Sequence, residues 1–345
     1  MEFEREWREL GMESRKAGLA NPPGGLVRRL VSDSPSAEVH LAVSFNDGLC
    51  AIMIAMPEGW TAEVSHLPRW SGMRPAVAVG TERPKPRRFL VLRQGPGSPA
   101  EVFHAIAADL VGALQLAPAD RAERVLTKRL ERWKAFFEHA GARGLGPEAQ
   151  QGLFGELWLL GKRLIPLLGA REAVGGWTGP QRANHDFQFG RRALEVKTST
   201  AKQHQKIHVS SERQLSTSGL SSLVLVFLSF AASDGGGTTL PEQVVAIRGL
   251  LGSEPAALRV LEEKLIEAGY TDAHAEMYKT GYALRSVKNF EVTAGFPRIK
   301  ESDLPAAIGD LSYSVVVSAC EPFKVADSVV WERLKAVEDR KADED

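Results

Sequence analysis

The chain has 345 residues, of which 43% are hydrophobic and 25% are charged, the balance of an ordinary soluble globular protein of about two domains. Its 43 Lys and Arg residues equal its 43 Asp and Glu residues. The chain as a whole is therefore no polycation, and any contact with nucleic acid must come from a local basic surface.

Cysteine usage and hydropathy indicate an intracellular protein. Cys50 and Cys320 lie far apart in apolar segments and form no CxxC pair, which predicts buried free thiols and argues against a structural zinc site. The N-terminal MEFEREWREL is charged throughout, unlike a signal peptide. The most apolar stretch, Leu223–Phe230, is too short to cross a bilayer. We therefore expect a cytoplasmic protein without membrane contact.

Residues 1–117 are predicted to form an N-terminal α+β region. A helical apolar periodicity predicts a helix over Pro99–Leu114. No motif with recognisable chemistry occurs here, so the region is expected to recognise a substrate or a partner, or to support the rest of the chain. Apolar stretches predict strands at Val39–Phe45, Cys50–Met56, Ala76–Val79 and Phe89–Leu92.

Residues 118–146 are predicted to be a connecting segment with an amphipathic helix over Asp120–Ala140. The polar face of this helix is basic. Such a face is more often solvated than bound to phosphates, and the sequence leaves both interpretations open.

Residues 147–235 are predicted to form an α/β (α+β) core with a mixed central sheet and the order α-β-β-β-α-β. The last strand is apolar throughout, as expected for a strand buried on both faces. The predicted elements are a helix over Pro147–Leu164, strands over His185–Phe189, Arg192–Thr198 and Ile207–Val209, a short helix over Ser210–Leu215, and a strand over Leu223–Phe230.

Residues 236–345 are predicted to form a C-terminal α/β extension. The Gly-rich segment AASDGGG, residues 231–237, is predicted to be a flexible hinge before it. The extension is expected to contain helices over Pro241–Leu251 and Glu254–Ala268, a strand around Leu311–Ala319 and a terminal helix over Ser328–Arg340.

Two carboxylates and a lysine fall on one predicted strand face. In a β-strand successive side chains point to opposite faces, so Glu195 and Lys197 project together. The short Gly190–Arg191 link predicts a hairpin that places Asp186 near Glu195. Adjacent carboxylates repel each other unless a cation lies between them, and hard oxygen ligands suit Mg²⁺.

This grouping contains the parts needed for phosphodiester hydrolysis. Lys197 can orient a water molecule or stabilise charge on a phosphate oxygen. The backbone carbonyl of Val196 is a candidate further metal ligand. Glu156 lies at the edge of the apolar stripe of the Pro147–Leu164 helix, where it either reaches the metal or pairs with Arg163 or Lys162.

These motifs resemble the PD-(D/E)XK superfamily of restriction-endonuclease-like phosphodiesterases. The sequences GLFGELWLL, WTGP, HDF, ALEVKTS and VSSERQL more narrowly resemble a bacterial family of unknown function related to these nucleases, typically found beside restriction and phage-defence genes. The resemblance implies that Asp186 and Glu195 are metal ligands, that Lys197 is the catalytic lysine and that Glu156 is the helix carboxylate. One departure is His185, which replaces the proline of the PD dipeptide.

Several polar residues flank the motif. Lys202, Lys206, Arg213 and Gln214 are candidate nucleic-acid contacts, and the first three are equally well explained as exposed loop charges. His185, His204 and His208 are predicted to be surface histidines rather than a metal cluster. GELWLLGK does not have the spacing of a phosphate-binding loop, and no GxSxG nucleophile motif is present.

The sequence thus predicts an Mg²⁺-dependent DNA endonuclease, with Mn²⁺ able to substitute, in a bacterial restriction or anti-phage system. Its partners would be DNA and other defence proteins, and a homodimer is one option for its assembly. The alternative is a catalytically silent or partner-dependent subunit that uses a nuclease fold for DNA binding or assembly.

Overall fold

A computed structural model of the chain describes residues 3–335, except residues 19–25, 35, 46, 58–59, 61–63, 71, 80–86, 97, 141–143, 306 and 310. The chain divides into two compact units: residues 1–144 with 269–274, and residues 145–268 with 275–345. The described residues of 236–268 and 275–335 therefore pack in the same unit as residues 147–235. The division into the four segments 1–117, 118–146, 147–235 and 236–345, with a separate role for each, stays a prediction.

The first unit contains a five-stranded antiparallel sheet with the strand order β1-β2-β3-β5-β4. The four strands predicted here and the predicted helix over Pro99–Leu114 are confirmed, with slightly different ends. The elements are α1 (Glu4–Gly18), β1 (Leu26–Asp33), β2 (Glu38–Ser44), β3 (Cys50–Ala55), β4 (Met73–Val79), β5 (Arg88–Gln94), α2 (Ala100–Leu116) and α3 (Ala122–Ala140).

The sequence did not predict α1 and β1. Both are rich in charged residues, and only a few apolar side chains anchor them. Trp7 and Leu10 of α1 are buried, whereas β1 has a single buried residue, Ser32.

The second unit is built around a mixed sheet with the path β10-β11-β9-β7-β6. Strands β7 and β9 are parallel, the other pairs are antiparallel, and β13 pairs with the end of β11. The elements are α4 (Pro147–Leu159), a π-helical turn (Leu160–Leu164), α5 (Ile165–Gly175), β6 (Phe187–Phe189), β7 (Arg192–Ser199), β8 (Lys206–Val209), β9 (Ser222–Asp234), β10 (Thr238–Thr239), α6 (Leu240–Leu250), α7 (Pro255–Glu267), β11 (Thr280–Glu291), β12 (Tyr313–Val316), β13 (Lys324–Val325) and α8 (Asp327–Lys335).

Three expectations for this unit need correction. The predicted third core strand exists as β8, but it pairs with β12 in a separate two-stranded sheet. The short helix after it is a 3₁₀ turn, Glu212–Leu215. The predicted hinge is wrong for residues 231–234, because they continue β9 and pair with the first residues of β11. The predicted terminal helix begins at Asp327, and its residues 336–340 lie outside the described chain.

Helix α4 packs tightly on one face of β7. A Cβ atom at Gly155 would lie 2.3 Å from Thr198 Cγ2 and 3.6 Å from Val196 Cγ1, so only glycine permits this approach. On the opposite face of β7 and β9 lies a buried cluster that includes Ala193, Leu225 and Phe227. Both faces of β7 are therefore buried, and its polar residues lie inside the unit.

We expect Gly155→Ala to lower the free energy of unfolding by about 1–3 kcal/mol, since α4 must move away from β7 to admit the methyl group. Urea unfolding followed by circular dichroism measures this change. Gly152→Ala on the same helix is the matched control, because a Cβ there would meet nothing within 4 Å. It should be neutral or stabilising by up to about 1 kcal/mol, and equal losses in both variants would contradict the argument.

Candidate active site

Glu156 follows Gly155 on α4 and lies beside the sheet. Its Oε2 accepts a hydrogen bond of 2.7 Å from Nε1 of Trp177, which is completely buried. Arg163, one of its two expected alternative partners, instead forms an ion pair of 2.9 Å with Asp327. The close packing of α4 thus directs the Glu156 carboxylate toward the interior of the unit.

The segment after α5 fixes the backbone of Asp186. The amides of Thr178 and Gly179 both donate to the carbonyl of Asp186, at 2.8 and 2.9 Å. The hydroxyl of Thr178 donates to the carbonyl of His185 at 2.8 Å. Trp177 forms a β-bridge with Phe187. Asp186 is therefore held at the point where β6 begins.

The side chain of Asp186 reaches the edge of β7. The β6–β7 hairpin pairs Phe187 with Leu194, as the short Gly190–Arg191 link predicted. One residue outside that pair, Asp186 Oδ2 accepts a hydrogen bond of 2.7 Å from the amide of Val196. The carboxylate thus occupies the position that a longer β6 would fill. It holds the segment before β6 against β7.

Gly179 separates two carboxylates. A Cβ atom built at Gly179 would lie 2.9 Å from Glu156 Oε2 and 3.1 Å from Asp186 Oδ1. The absence of a side chain at this position therefore leaves room for a small group between the two acids.

Glu195 and Lys197 form an ion pair on the face of β7 away from α4. Lys197 Nζ lies 2.9 Å from Glu195 Oε1, and Glu195 is 0% exposed. Glu195 Oε2 accepts no hydrogen bond from the described residues. Lys197 Nζ also donates to Gln214 Oε1 at 2.9 Å, and the same oxygen accepts from the amide of Ser210 at 3.0 Å. Gln214 therefore positions the lysine.

Burial raises the pKa of all three acids, and repulsion between carboxylates adds to the shift for Glu156 and Glu195. Burial and the charge of Asp186 raise the pKa of Glu195 to about 8, although Lys197 opposes the shift. Burial, with the charges of Asp186 and Glu195, raises the pKa of Glu156 well above its usual range. Burial also raises the pKa of Asp186, against the influence of Lys197 and the Val196 amide. Burial alone would lower the pKa of Lys197, but the surrounding carboxylates raise it.

The donor set fits a divalent cation. Three carboxylates, the buried one of Glu195 and the partly buried ones of Glu156 and Asp186, lie near a single ammonium, and an oxygen of Glu195 has no hydrogen-bond donor in the described chain. No group of three or more His, Cys, Asp or Glu side chains in the described residues forms a ready metal cage. Mg²⁺ is commonly bound through one or two carboxylates, water and substrate phosphate, and does not require such a cage.

The predicted phosphate contacts differ in their ion pairing. Lys202 and Lys206 are exposed. The Arg213 side chain is 54% exposed, and its guanidinium lies 3.8 Å from Glu212 and 4.0 Å from Glu301. A nucleic-acid contact by these three residues stays a prediction.

The expectation for the histidines is correct for two of the three. His204 and His208 are exposed. His185 is buried, its Nε2 donates to the carbonyl of Ser216 at 3.1 Å, and burial lowers its pKa. A buried neutral imidazole thus occupies the place of the expected proline and connects the start of β6 to the segment after β8.

Lys264 is a supporting residue that the sequence analysis missed. From α7 its ammonium donates to the carbonyls of Val174 at 2.8 Å, Gly175 at 2.9 Å and Trp177. It thereby closes the C-terminal end of α5 and holds the segment that contains Trp177. Burial lowers the pKa of Lys264 to about 8, although Glu267 opposes the shift. The signal was present, because Lys264 lies on the same buried stripe as Leu261 and Leu265.

A cluster of buried acids with one lysine, at the edge of a mixed sheet covered by a helix, is the kind of site found in nuclease-like folds. A family model described as "Putative PD-(D/E)XK family member" matches residues 3–318, and the chain belongs to this family. The resemblance seen in the sequence motifs is thus confirmed. Searches of curated proteins and of solved structures found no matching protein. No helix within the described residues is long and apolar enough to cross a membrane.

The raised pKa of Glu195 predicts a pH-dependent stability in metal-free buffer. The folded state favours the protonated carboxyl, so stability is highest below the unfolded pKa near 4.5 and falls as the pH rises to about 8. Glu195→Gln lacks this loss. We expect the melting temperature of the variant, minus that of the parent, to increase from pH 5 to pH 8 and then level off. Thermal scans in EDTA measure this difference. If it did not change with pH, the raised pKa of Glu195 would be contradicted.

Lys264→Met should lower the free energy of unfolding by about 2–4 kcal/mol, because three carbonyls lose the ammonium, and the contacts to Val174 and Trp177 are buried. Urea unfolding measures the loss. Arg259→Met, on the exposed face of α7, removes the same charge and is the matched control. It should change the free energy of unfolding by less than about 0.5 kcal/mol. A similar loss in both variants would show that the contacts of Lys264 to the carbonyls do not stabilise the fold.

Proposed function

We propose that the chain is a metal-dependent nuclease that hydrolyses phosphodiester bonds in DNA, with Mg²⁺ as its metal and Mn²⁺ as a substitute. The observation that carries the proposal is the grouping of the buried Glu195 with the partly buried Glu156 and Asp186 around the single ammonium of Lys197. Buried acids in such excess are costly to the fold unless a cation offsets them. Membership of a PD-(D/E)XK family supports the same function.

Asp186 and Glu195 would hold the cation, with the Val196 carbonyl as a further oxygen ligand. When bound, the cation polarises the phosphate and makes a water molecule more acidic. Glu156, kept in place by Trp177, would orient a water molecule or a second ion on the α4 side.

Lys197 would act on the charge that develops during hydrolysis. Its ammonium is held beside Glu195 by Gln214, so it can donate to a non-bridging phosphate oxygen without first finding its position. Gln214, expected from the sequence to contact nucleic acid, is in this proposal a positioning residue for the lysine.

The substrate and the biological setting follow from the family resemblance and the local charge. Lys202, Lys206 and Arg213 would provide phosphate contacts beside the site, since the net charge of the chain is zero. The proposed setting is a cytoplasmic restriction or anti-phage system in which other defence proteins cooperate with the chain.

A second candidate function is a silent or partner-dependent nuclease-fold subunit. It is favoured by one observation: Lys197 already neutralises Glu195, and the Val196 amide already binds Asp186. In such a site both carboxylates already have a partner from the chain when no metal is bound.

Metal-dependent cleavage tests the proposal directly. Supercoiled plasmid incubated with the full chain and Mn²⁺ or Mg²⁺ should be nicked, and EDTA should stop the reaction. Asp186→Asn keeps an acceptor for the Val196 amide but removes the charge, so it should abolish both cleavage and thermal stabilisation by Mn²⁺. Lys197→Ala should lower the cleavage rate at least about a hundredfold and preserve the Mn²⁺-induced increase in melting temperature.

Lys162→Ala is the matched control, because Lys162 is an exposed lysine of the same unit. It should cleave at the parent rate. If millimolar Mn²⁺ leaves the melting temperature of the parent unchanged, or shifts the parent and Asp186→Asn equally, metal catalysis is wrong. Metal stabilisation without cleavage of plasmid, linear DNA, single-stranded DNA or RNA would favour the second candidate.

A further inference from the structure

A cavity of about 360 Å³ lies beside the candidate active site. One wall is the 3₁₀ turn Glu212–Leu215 with the three residues that follow it, and the other is formed by residues 298–302. This volume lies within the range of sites that bind small molecules. The cavity is therefore large enough for one organic ligand of moderate size.

The lining of the cavity is polar and carries more cations than acids. Arg213, Arg298 and Lys300 contribute positive charge, and the hydroxyls include those of Thr217 and Ser302. Glu212, one of the two acids in the lining, accepts a hydrogen bond of 2.9 Å from the amide of Leu311. This composition suits a ligand with both an anionic group and hydroxyl or amide groups.

Arg298 is a partly buried cation on which the charge of Asp303 acts only from a distance. Its Nη1 donates to the carbonyl of Leu215, and its Nη2 donates to the Thr217 hydroxyl at 3.2 Å. Its Nε is buried without an acceptor, and no ion pair with a carboxylate is formed within the described residues. Burial lowers its pKa. An anion in the cavity would stabilise this partly buried guanidinium.

The cavity wall is directly connected to the acidic site. Gln214, in the same 3₁₀ turn, binds the ammonium of Lys197. The carbonyl of Ser216, which lines the cavity, accepts a hydrogen bond from His185, the residue before Asp186. A group bound in the cavity would therefore lie next to the backbone segments that hold the proposed catalytic residues.

We propose that this cavity binds a nucleoside phosphate, with the phosphate near Arg298, Arg213 and Lys300 and the sugar or base against the hydroxyl groups. The nucleoside phosphate is either one unit of a DNA strand or a free nucleotide. The first source rests on the proposed function, because the strand would then enter the cavity beside the bond that is cut. The second does not depend on cleavage.

Binding measurements on the full chain in EDTA test this proposal without cleavage. Isothermal titration calorimetry would compare four 2′-deoxynucleoside 5′-monophosphates, the matching nucleosides, inorganic phosphate and a single-stranded oligodeoxynucleotide. At least one monophosphate or the oligonucleotide should bind, and the nucleosides should bind at least about tenfold more weakly, since they lack the charge-assisted contacts.

Arg213→Gln and Lys300→Gln change exposed residues at the cavity and should leave the fold intact. Each should weaken nucleotide or strand binding by about three- to tenfold, and the double variant by more. Arg298→Gln should weaken binding more strongly. This change also removes contacts to Leu215 and Thr217, so the Arg213 and Lys300 variants decide the outcome. Lys324→Gln, an exposed lysine outside the cavity, should change nothing.

Tight binding of a free monophosphate assigns the cavity to a soluble nucleotide, whereas preferential binding of the oligonucleotide assigns it to a DNA strand. Binding that is equal for nucleotides and inorganic phosphate would overturn the proposal in favour of a simple anion site. Absence of binding by every probe at millimolar concentration, or equal effects of the Arg213, Lys300 and Lys324 variants, would also overturn it. Failure of DNA cleavage alone would refute the nuclease proposal and leave this test unaffected.

Discussion

The second unit depends on the hydrogen bond between the Asp186 carboxylate and the amide of Val196. This contact ends the β6–β7 pairing with a side chain instead of a backbone carbonyl. It leaves the other oxygen of Asp186 facing Glu156 across Gly179. A hydrophobic residue at position 186 would leave a strand-edge amide without a partner and would remove the acid that connects the two sides of β7. One contact thus joins the fold to the chemistry proposed for it.

Residues from several segments of the chain hold this arrangement in place. Gly155 brings α4 onto β7, Trp177 holds Glu156, and Gln214 holds Lys197. Lys264, which comes from α7, closes the end of α5 before Trp177. Residues after 236, expected from the sequence to be an extension, thus include a residue that fixes the candidate site. Gly155, Trp177 and Gln214 lie in the motifs that carry the family resemblance, whereas Lys264 lies outside them.

The sequence was informative where the pattern is local and limited where the partners are distant. Alternation along Leu194, Glu195, Val196 and Lys197 correctly indicated which side chains share a face, and the Gly190–Arg191 link correctly indicated the hairpin. The sequence did not show that the face of β7 carrying Glu195 is itself buried. The residues that cover this face come from β8, β12 and the segment after β11. Those contacts are what raise the pKa of Glu195.

Other errors have the same origin. Ile207–Val209 has the composition of a core strand, yet β8 pairs with β12, more than 100 residues later in the chain. Residues 231–234 are small and polar, yet they continue β9 because β11 pairs beside them. Composition reports how a segment behaves alone, whereas in both places a remote strand determines the outcome. Lys264 was missed as a supporting residue because its partners are backbone carbonyls about 90 residues earlier in the chain.

The dependence on α7 and β12 has a consequence for the order of events during synthesis. The ribosome releases Asp186, Glu195 and Lys197 well before Lys264 and Tyr313–Val316 are made. Until those segments arrive, the carbonyls at the end of α5 lack their cation and β8 lacks its strand partner. Contacts between residues so far apart in sequence form late in folding. A nascent or truncated chain that lacks these segments would therefore carry the acidic motif without its supports.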